Sequence, residues 1–109
     1  MEPYIPVITK NRVVKIYLQD IVYIMKKQRK IVIVAEKEQF AYYGRMEIIK
    51  CHVDQRFFFC LQNFVINLDK VDRMEDQTIY FVNGETFWLG RDNYIRAKQY
   101  YTAYLKKLL

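Results

Sequence analysis

Hydrophobic and polar segments alternate along this chain, and few of the hydrophobic segments are long enough for a helix. In the most apolar stretch, Phe57 to Asn67, two apolar runs are separated by Leu61 and two amides, Gln62 and Asn63. Short apolar runs that are rich in aromatic and β-branched residues and bounded by turn residues indicate buried strands. We therefore interpret this stretch as a buried strand with a polar kink. A kink held by the core on both sides presents its amides outward, where a partner can reach them.

The first third of the chain predicts further strands. Ile5 to Thr9 is interrupted by Pro6, which fits an edge strand. Arg12 to Leu18 alternates apolar and polar residues, as a half-buried strand does. Ile21 to Met25 is apolar on both faces, so we expect this strand to be central in a sheet.

A cluster of cations follows the central strand. Lys26 to Lys30 contains four cations in five residues and precedes a second apolar run, Ile31 to Ala35. This order predicts a hairpin whose tip is the cationic cluster. The tip lacks an Asn-Gly pair, so we expect a connection looser than a two-residue turn. Mutual repulsion keeps the tip in solvent, which fits a phosphate-binding loop and a merely solvated turn equally well.

The remaining patterns predict more strands and two helices. The apolar spacing from Arg45 to Val53 predicts a short amphipathic helix, and Asn83-Gly84 is a strong hairpin signal. Apolar residues at helical spacing from Tyr94 to Leu108 predict a C-terminal helix capped by Asp92 or Asn93. Further strands are expected at residues 39–43, 69–74, 78–82 and 85–89. The predicted fold is mainly β, with packed antiparallel sheets and hairpins, one short internal helix and a C-terminal helix. We expect one domain over residues 1–109.

Net charge and hydropathy narrow the class of partner. The 109-residue chain has a net charge of +6, which favours a polyanion such as nucleic acid. Its longest uncharged stretch, Phe57 to Leu68, is well short of the ~20 residues of a membrane span, and the N-terminus does not resemble a signal peptide. We therefore expect a cytoplasmic protein that does not bind membranes.

Residues suited to catalysis or metal binding are sparse. The chain has no serine, and its single histidine, His52, lacks the additional ligands that zinc requires. Cys51 and Cys60 both have apolar neighbours, so we expect buried thiols, and a bridge between them remains an alternative. The three glycines are isolated and form no phosphate-binding loop. We expect no enzyme activity, no cofactor and no metal.

Three polar loops carry the candidate binding chemistry. Cations can neutralise phosphates, and arginine can also pair with guanine. Amide side chains pair with adenine. Arg91 is expected at a helix start, where free backbone N–H groups favour an anion. The candidate DNA-binding residues are Lys26, Lys27, Gln28, Arg29, Lys30, Gln62, Asn63, Arg91 and Asn93.

The order and spacing of several segments resemble the LytTR-type DNA-binding domain of bacterial response regulators. The resemblance covers about residues 8 to 109, and its most specific parts are Asp20-Ile21 with Tyr23-Ile24 and the segment Phe64 to Asn67. It implies antiparallel sheets with short helices and DNA recognition by loops in successive grooves. By position, the family's contact loops fall near Gln28-Arg29, on Gln62-Asn63 and on Arg91 to Asn93.

The resemblance also implies partners. These are double-stranded DNA at promoter repeats, a receiver or sensor domain outside this chain, and a second copy in a homodimer on DNA. The leading hypothesis is therefore sequence-specific DNA binding by the output domain of a transcriptional regulator.

Four residues depart from the family pattern. Phe59, Leu61 and Asn63 stand where the family often has Arg, His and Ser, and Gly90 replaces a usual Ser. These departures motivate an alternative, a protein-interaction or dimerisation module that has lost DNA recognition. An exposed apolar patch containing both Phe59 and Leu61 would favour that alternative.

Overall fold

The computed structural model describes residues 2–109, which form ten strands and two α-helices. The strands are β1 (Tyr4–Ile8), β2 (Val13–Tyr17), β3 (Ile21–Lys27), β4 (Lys30–Ala35), β5 (Gln39–Tyr43), β6 (Phe57–Leu61), β7 (Phe64–Asn67), β8 (Val71–Glu75), β9 (Thr78–Phe81) and β10 (Thr86–Trp88). The helices are α1 (Met46–His52) and α2 (Arg91–Lys106). Single 3₁₀ turns at Leu18–Asp20 and Leu68–Lys70 lead into β3 and β8. The predicted mainly β fold, with one internal and one C-terminal helix, is confirmed.

A five-stranded antiparallel sheet forms the centre of the molecule. Its strand order is β5-β4-β3-β7-β6, so β3 has a neighbour on each side. The central position predicted for Ile21 to Met25 is therefore confirmed. Its first four residues are buried, as expected for a strand covered on both faces.

Two smaller sheets cover the two faces of the central sheet and create two cores. On one face, the sheet β10-β9-β8 and α2 enclose a core that contains Phe64, Ile66 and Ala97. On the other face, the hairpin β1-β2 and α1 enclose a core that contains Ile24 and Val65. Neighbouring residues on one strand, such as Phe64 and Val65, thus belong to different cores, as the two-residue period of a strand requires.

The stretch Phe57 to Asn67 was predicted to be one kinked strand, and this prediction is wrong. Its two apolar runs are β6 and β7, which pair with each other in antiparallel orientation across the turn Gln62-Asn63. A two-residue connection between apolar runs closes a hairpin, so the amides lie at a tip.

The cationic hairpin is tighter than predicted. Lys27 pairs directly with Lys30, which leaves Gln28 and Arg29 as a two-residue turn. Gln28 takes a left-handed conformation with φ of 58°, and in this way the chain makes the turn without an Asn-Gly pair. Lys26 and Lys27 therefore belong to β3, and Lys30 belongs to β4.

Two further predictions need correction. The N-cap of α2 is Gly90, without a side-chain cap, so Asp92 and Asn93 lie inside the first turn. Cys51 is exposed on α1, while Cys60 is buried as expected, and both are free thiols. Burial raises the pKa of the Cys60 thiol to about 12, because an apolar environment disfavours the thiolate.

Asn67 is the one polar side chain that is buried in residues 2–109. Its amide nitrogen donates to the carbonyl oxygens of Ile21 at 2.8 Å and Leu18 at 3.3 Å. Its side-chain oxygen accepts from the backbone N–H of Asp69 at 2.9 Å. The side chain thereby joins the two 3₁₀ turns at one end of the central sheet.

Candidate nucleic-acid interface

The turns Gln28-Arg29 and Gln62-Asn63 lie side by side at one end of the central sheet. β3 leads into the first turn and β7 leads out of the second, and these strands are antiparallel neighbours with Met25 opposite Phe64. The backbone N–H of Lys26 donates to the carbonyl oxygen of Asn63 at 2.9 Å. The turns are therefore joined by a main-chain hydrogen bond.

The start of α2 lies at the same end of the sheet. The guanidinium of Arg96 donates to the carbonyl oxygens of Phe59 and Cys60, and Tyr100 stacks on Phe58 with 4.6 Å between ring centroids. Helix α2 therefore runs antiparallel to β6, with its N-terminus toward the C-terminus of the strand. Because one helical turn rises about 5.4 Å, the first turn of α2 lies beside the end of β6 that leads into Gln62.

The structure brings the predicted site residues to one end of the molecule with different exposures. Lys26 and Asn93 are half-buried, and the other seven are exposed: Lys27, Gln28, Arg29, Lys30, Gln62, Asn63 and Arg91. Asn93 is a poorer candidate for contact than the exposed amides, because its position in the first turn of α2 leaves it partly covered.

Five cations at this end, the four of segment 26–30 and Arg91, have no carboxylate partner within residues 2–109. Six ion pairs form among residues 2–109, and none involves the four cations of segment 26–30 or Arg91. The sequence contains no acidic residue between Asp20 and Glu36. Lys30 instead lies over the ring of Tyr43, with Nζ 5.3 Å from the ring centroid. Positive charge is thus concentrated here without internal compensation, which suits binding to a polyanion.

Sequence reasoning missed Arg45 at this end of the sheet. The backbone N–H of Gly44 donates to the carbonyl oxygen of Arg29 at 3.4 Å, so the residues after β5 adjoin the cationic turn. Arg45 is exposed, and its nearest carboxylate contact, to Glu47, is a long 3.9 Å. The signal was available in principle, because a strand paired with β4 must end beside the β3-β4 turn.

The departures from the family pattern occupy different environments. Phe59 is half-buried against the core on the α1 side, and Lys50 Nζ lies 5.3 Å from its ring centroid. Leu61 is 43% exposed and pairs with Phe64, which belongs to the opposite core. A shift in the β6-β7 register between Phe59 and Leu61 interrupts the two-residue alternation of β6, so Leu61 faces the side of Phe64 and Phe59 faces the opposite side. Gly90 has no conformational need for glycine, since its φ is −59° and an added Cβ meets nothing within 4 Å.

Within residues 2–109, no three His, Cys, Asp or Glu side chains are placed to hold a metal ion. His52 is half-buried at the end of α1. None of the helices over the same residues has the length and apolar character to cross a bilayer.

Comparisons with known proteins agree with the geometry. The family model of the LytTr DNA-binding domain matches residues 11–102. A solved structure, the LytTr DNA-binding domain of a putative methyl-accepting/DNA response regulator from Bacillus cereus, is similar with a TM-score of 0.73 and 14% sequence identity. The similarity covers 92% of this chain and 97% of that one, so the two share a fold. A comparison with curated protein sequences gives no match.

Proposed function

Because the chain belongs to the LytTr DNA-binding domain family, we propose that it binds double-stranded DNA in a sequence-specific manner through three loops. These loops are the turns Gln28-Arg29 and Gln62-Asn63 and the start of α2 at Arg91. The proposal rests on one observation: a main-chain hydrogen bond between Lys26 and Asn63 joins the two turns, at the end of the sheet where α2 begins. This end also carries the cations of segment 26–30 and Arg91, which have no carboxylate partner within residues 2–109.

The residue types divide into two roles. Lys27, Arg29 and Lys30, with Arg91 on α2, hold backbone phosphates and thereby set the position of the domain on the duplex. Lys26 is half-buried and contributes to the positive field rather than to a close contact. The amides of Gln28, Gln62 and Asn63 contact base edges in a groove. Asn93, half-buried in the first turn of α2, makes at most a peripheral contact.

The regulatory setting is a further part of the proposal. The similar solved structure is named as part of a response regulator. We extend that setting to this chain: residues 1–109 serve as one cytoplasmic DNA-binding output domain, which acts without enzymatic activity. A receiver or sensor domain outside the chain controls it, and two copies bind promoter repeats as a homodimer.

The protein-interaction alternative gains no support from the apolar departures. It needed Phe59 and Leu61 in one exposed patch, and these side chains lie on opposite faces of the central sheet. The exposed side chains at the loop-bearing end are instead mostly cations and amides, which suit a phosphate backbone and base edges.

A double substitution tests the proposed function. Arg29→Ala combined with Arg91→Ala should abolish a gel shift on duplexes selected by the wild-type protein from a random library. With four to five phosphates neutralised, the wild-type logarithm of the binding constant should fall with log salt at a slope of roughly −4.

The matched control is Arg56→Ala combined with Arg73→Ala. It also removes two arginines, but both form ion pairs with carboxylates, and neither belongs to the three loops. The control should retain salt-dependent binding, and circular dichroism should show all three proteins folded. Equal gel shifts for the loop variant and the wild type would refute the proposed site.

A further inference from the structure

A shallow concavity lies between the β1-β2 turn and the end of β5. It has a volume of about 310 Å³, and its lining includes Ile8, Thr9, Lys10, Lys30, Tyr42 and Tyr43. We name it the β1-β5 cleft. None of the three proposed DNA-binding loops lies in this cleft, although Lys30 borders both it and the Gln28-Arg29 turn.

The cleft continues the cationic surface of the loops. Lys30 pairs with Tyr43 across β4 and β5, and the backbone N–H of Gly44 donates to the carbonyl oxygen of Arg29. Three strand spacings separate β7 from β5 in the central sheet. At about 4.8 Å per spacing, the cleft begins roughly 15 Å from the Gln62-Asn63 turn. A duplex seated on the loops extends over that distance.

The chemistry of the cleft suits a phosphate. Two lysines and two tyrosines line it, and no carboxylate does. Neither Lys10 nor Lys30 forms an ion pair within residues 2–109. Tyr43 is 74% exposed although it is aromatic, and Lys30 Nζ lies over its ring. The lining thus brings two lysines without ion-pair partners, and two tyrosines, to one concavity.

We propose that the β1-β5 cleft is a fourth DNA contact, which binds a backbone phosphate of the duplex flanking the segment held by the three loops. The inference rests on the proposed function, since it places the same duplex on a longer surface. Lys10 distinguishes the fourth contact from the three-loop site, because it lies in the cleft and outside every loop assigned above. The contact adds affinity that is independent of base sequence.

The test uses the full chain and a duplex recovered with wild-type protein from a random library. Lys10→Ala should weaken binding several-fold and make the salt slope shallower by about 1, the contribution of one phosphate. Lys10→Arg should restore the wild-type slope. The matched control is Lys37→Ala. Lys37 is also exposed and without an ion pair within residues 2–109, but it lies between β4 and β5, at the opposite end of the sheet. Ethylation interference should show one outer phosphate that matters for the control and not for Lys10→Ala.

The outcomes separate the inference from the proposed function. If the wild-type protein binds DNA and loses binding with Arg29→Ala and Arg91→Ala, while Lys10→Ala and Lys37→Ala behave alike, the fourth contact is refuted and the loops stand. If wild-type protein shows no salt-dependent binding to any recovered duplex, both proposals fall. A shallower slope for Lys10→Ala alone, with loss of the outer phosphate signal, supports the cleft.

Discussion

The two ends of the central sheet use polar groups in opposite ways. At the end where β3 begins and β7 finishes, which we call the anchored end, Asn67 makes three internal hydrogen bonds and Lys70 pairs with Glu36. Tyr104 also donates its hydroxyl to Asp69 there, at 2.6 Å. At the other end, the loop end, the cations of segment 26–30 and Arg91 form no ion pairs within residues 2–109. Polar groups at the anchored end therefore specify the fold, and those at the loop end are free for a partner.

This contrast implies that stability and binding can be changed separately. Substitutions at the anchored end remove hydrogen bonds that the folded chain needs, because buried polar groups without partners carry a desolvation cost. Substitutions at the loop end remove groups that water solvates equally well in the folded and unfolded chain. The first and the last of the three predictions below test this separation, and the second concerns the buried Cys60 of β6.

Replacing Asn67 should destabilise the fold most. Asn67→Leu leaves the carbonyl oxygens of Leu18 and Ile21 and the N–H of Asp69 without their partner, so the free energy of unfolding should fall by about 3 kcal/mol. Urea denaturation measures the loss.

The control is Asn83→Ala, whose side chain bonds to Glu85 in an exposed turn and should cost about 1 kcal/mol or less. At a temperature where Asn67→Leu is still folded, its DNA affinity should match that of the wild type. Equal urea midpoints for the two variants would contradict the role given to Asn67.

Alkaline pH should destabilise the protein through Cys60. Burial raises the pKa of this thiol from 9.0 to about 12 in the folded chain, so the unfolded chain loses its proton first. The stabilisation is complete below pH 9.0 and is lost as pH rises toward 12.

Cys60→Ala should flatten this decline just above pH 9, while the exposed Cys51→Ala should retain it. Above pH 10 the tyrosines add to the decline. Burial and the hydrogen bond to Glu85 raise the pKa of Tyr23, and burial together with Asp69 raises the pKa of Tyr104 to about 12. Parallel slopes for wild type and Cys60→Ala between pH 9 and 10 would show that the thiol is not the cause.

Reversing one charge at the loop end should weaken DNA binding and slightly raise the free energy of unfolding, which is the smallest of the three effects on folding. Lys27 and Lys30 are direct cross-strand partners, and like charges in that position repel. Lys27→Glu should raise the free energy of unfolding by about 0.5 kcal/mol at low salt, and the gain should shrink as salt screens it. DNA affinity should fall at the same time, because the proposed phosphate contact becomes a repulsion.

Lys27→Gln, which removes the repulsion without adding an attraction, should give about half the stability gain. Thermal unfolding and gel shifts on the same samples measure both quantities. A stability loss in either variant would show that the cationic turn contributes to the fold.

A strand was predictable where its own residues show how it is buried. Ile21 to Met25 is apolar on both faces because β4 and β7 flank it and both faces are covered, and this burial is visible in the sequence. The pairing of β6 with β7 was not visible, since two apolar runs separated by two amides fit a kinked strand as well as a hairpin. Only the tertiary pairing across Gln62-Asn63 decides between them.

The sequence predicted which residue types form the candidate site, but not how the fold brings them together. Exposed cations and amides mark candidate loops because these side chains are poor core residues. Their convergence depends on β7 lying beside β3 and on α2 running antiparallel to β6, which are long-range contacts without a local signature. Arg45 and the cleft residue Lys10 were missed for the same reason, and the cap at Gly90 was missed because Asp92 is a stronger cap by residue type.

The hydrogen bond from Lys26 N–H to the carbonyl of Asn63 involves main-chain atoms alone, so it survives any exchange of the amide side chains around it. Two hairpins coupled in this way keep a constant separation when the side chains at their tips are exchanged. Engineering a new target preference in this scaffold should therefore vary the side chains at Gln28, Gln62 and Asn63 and leave both hairpin lengths untouched.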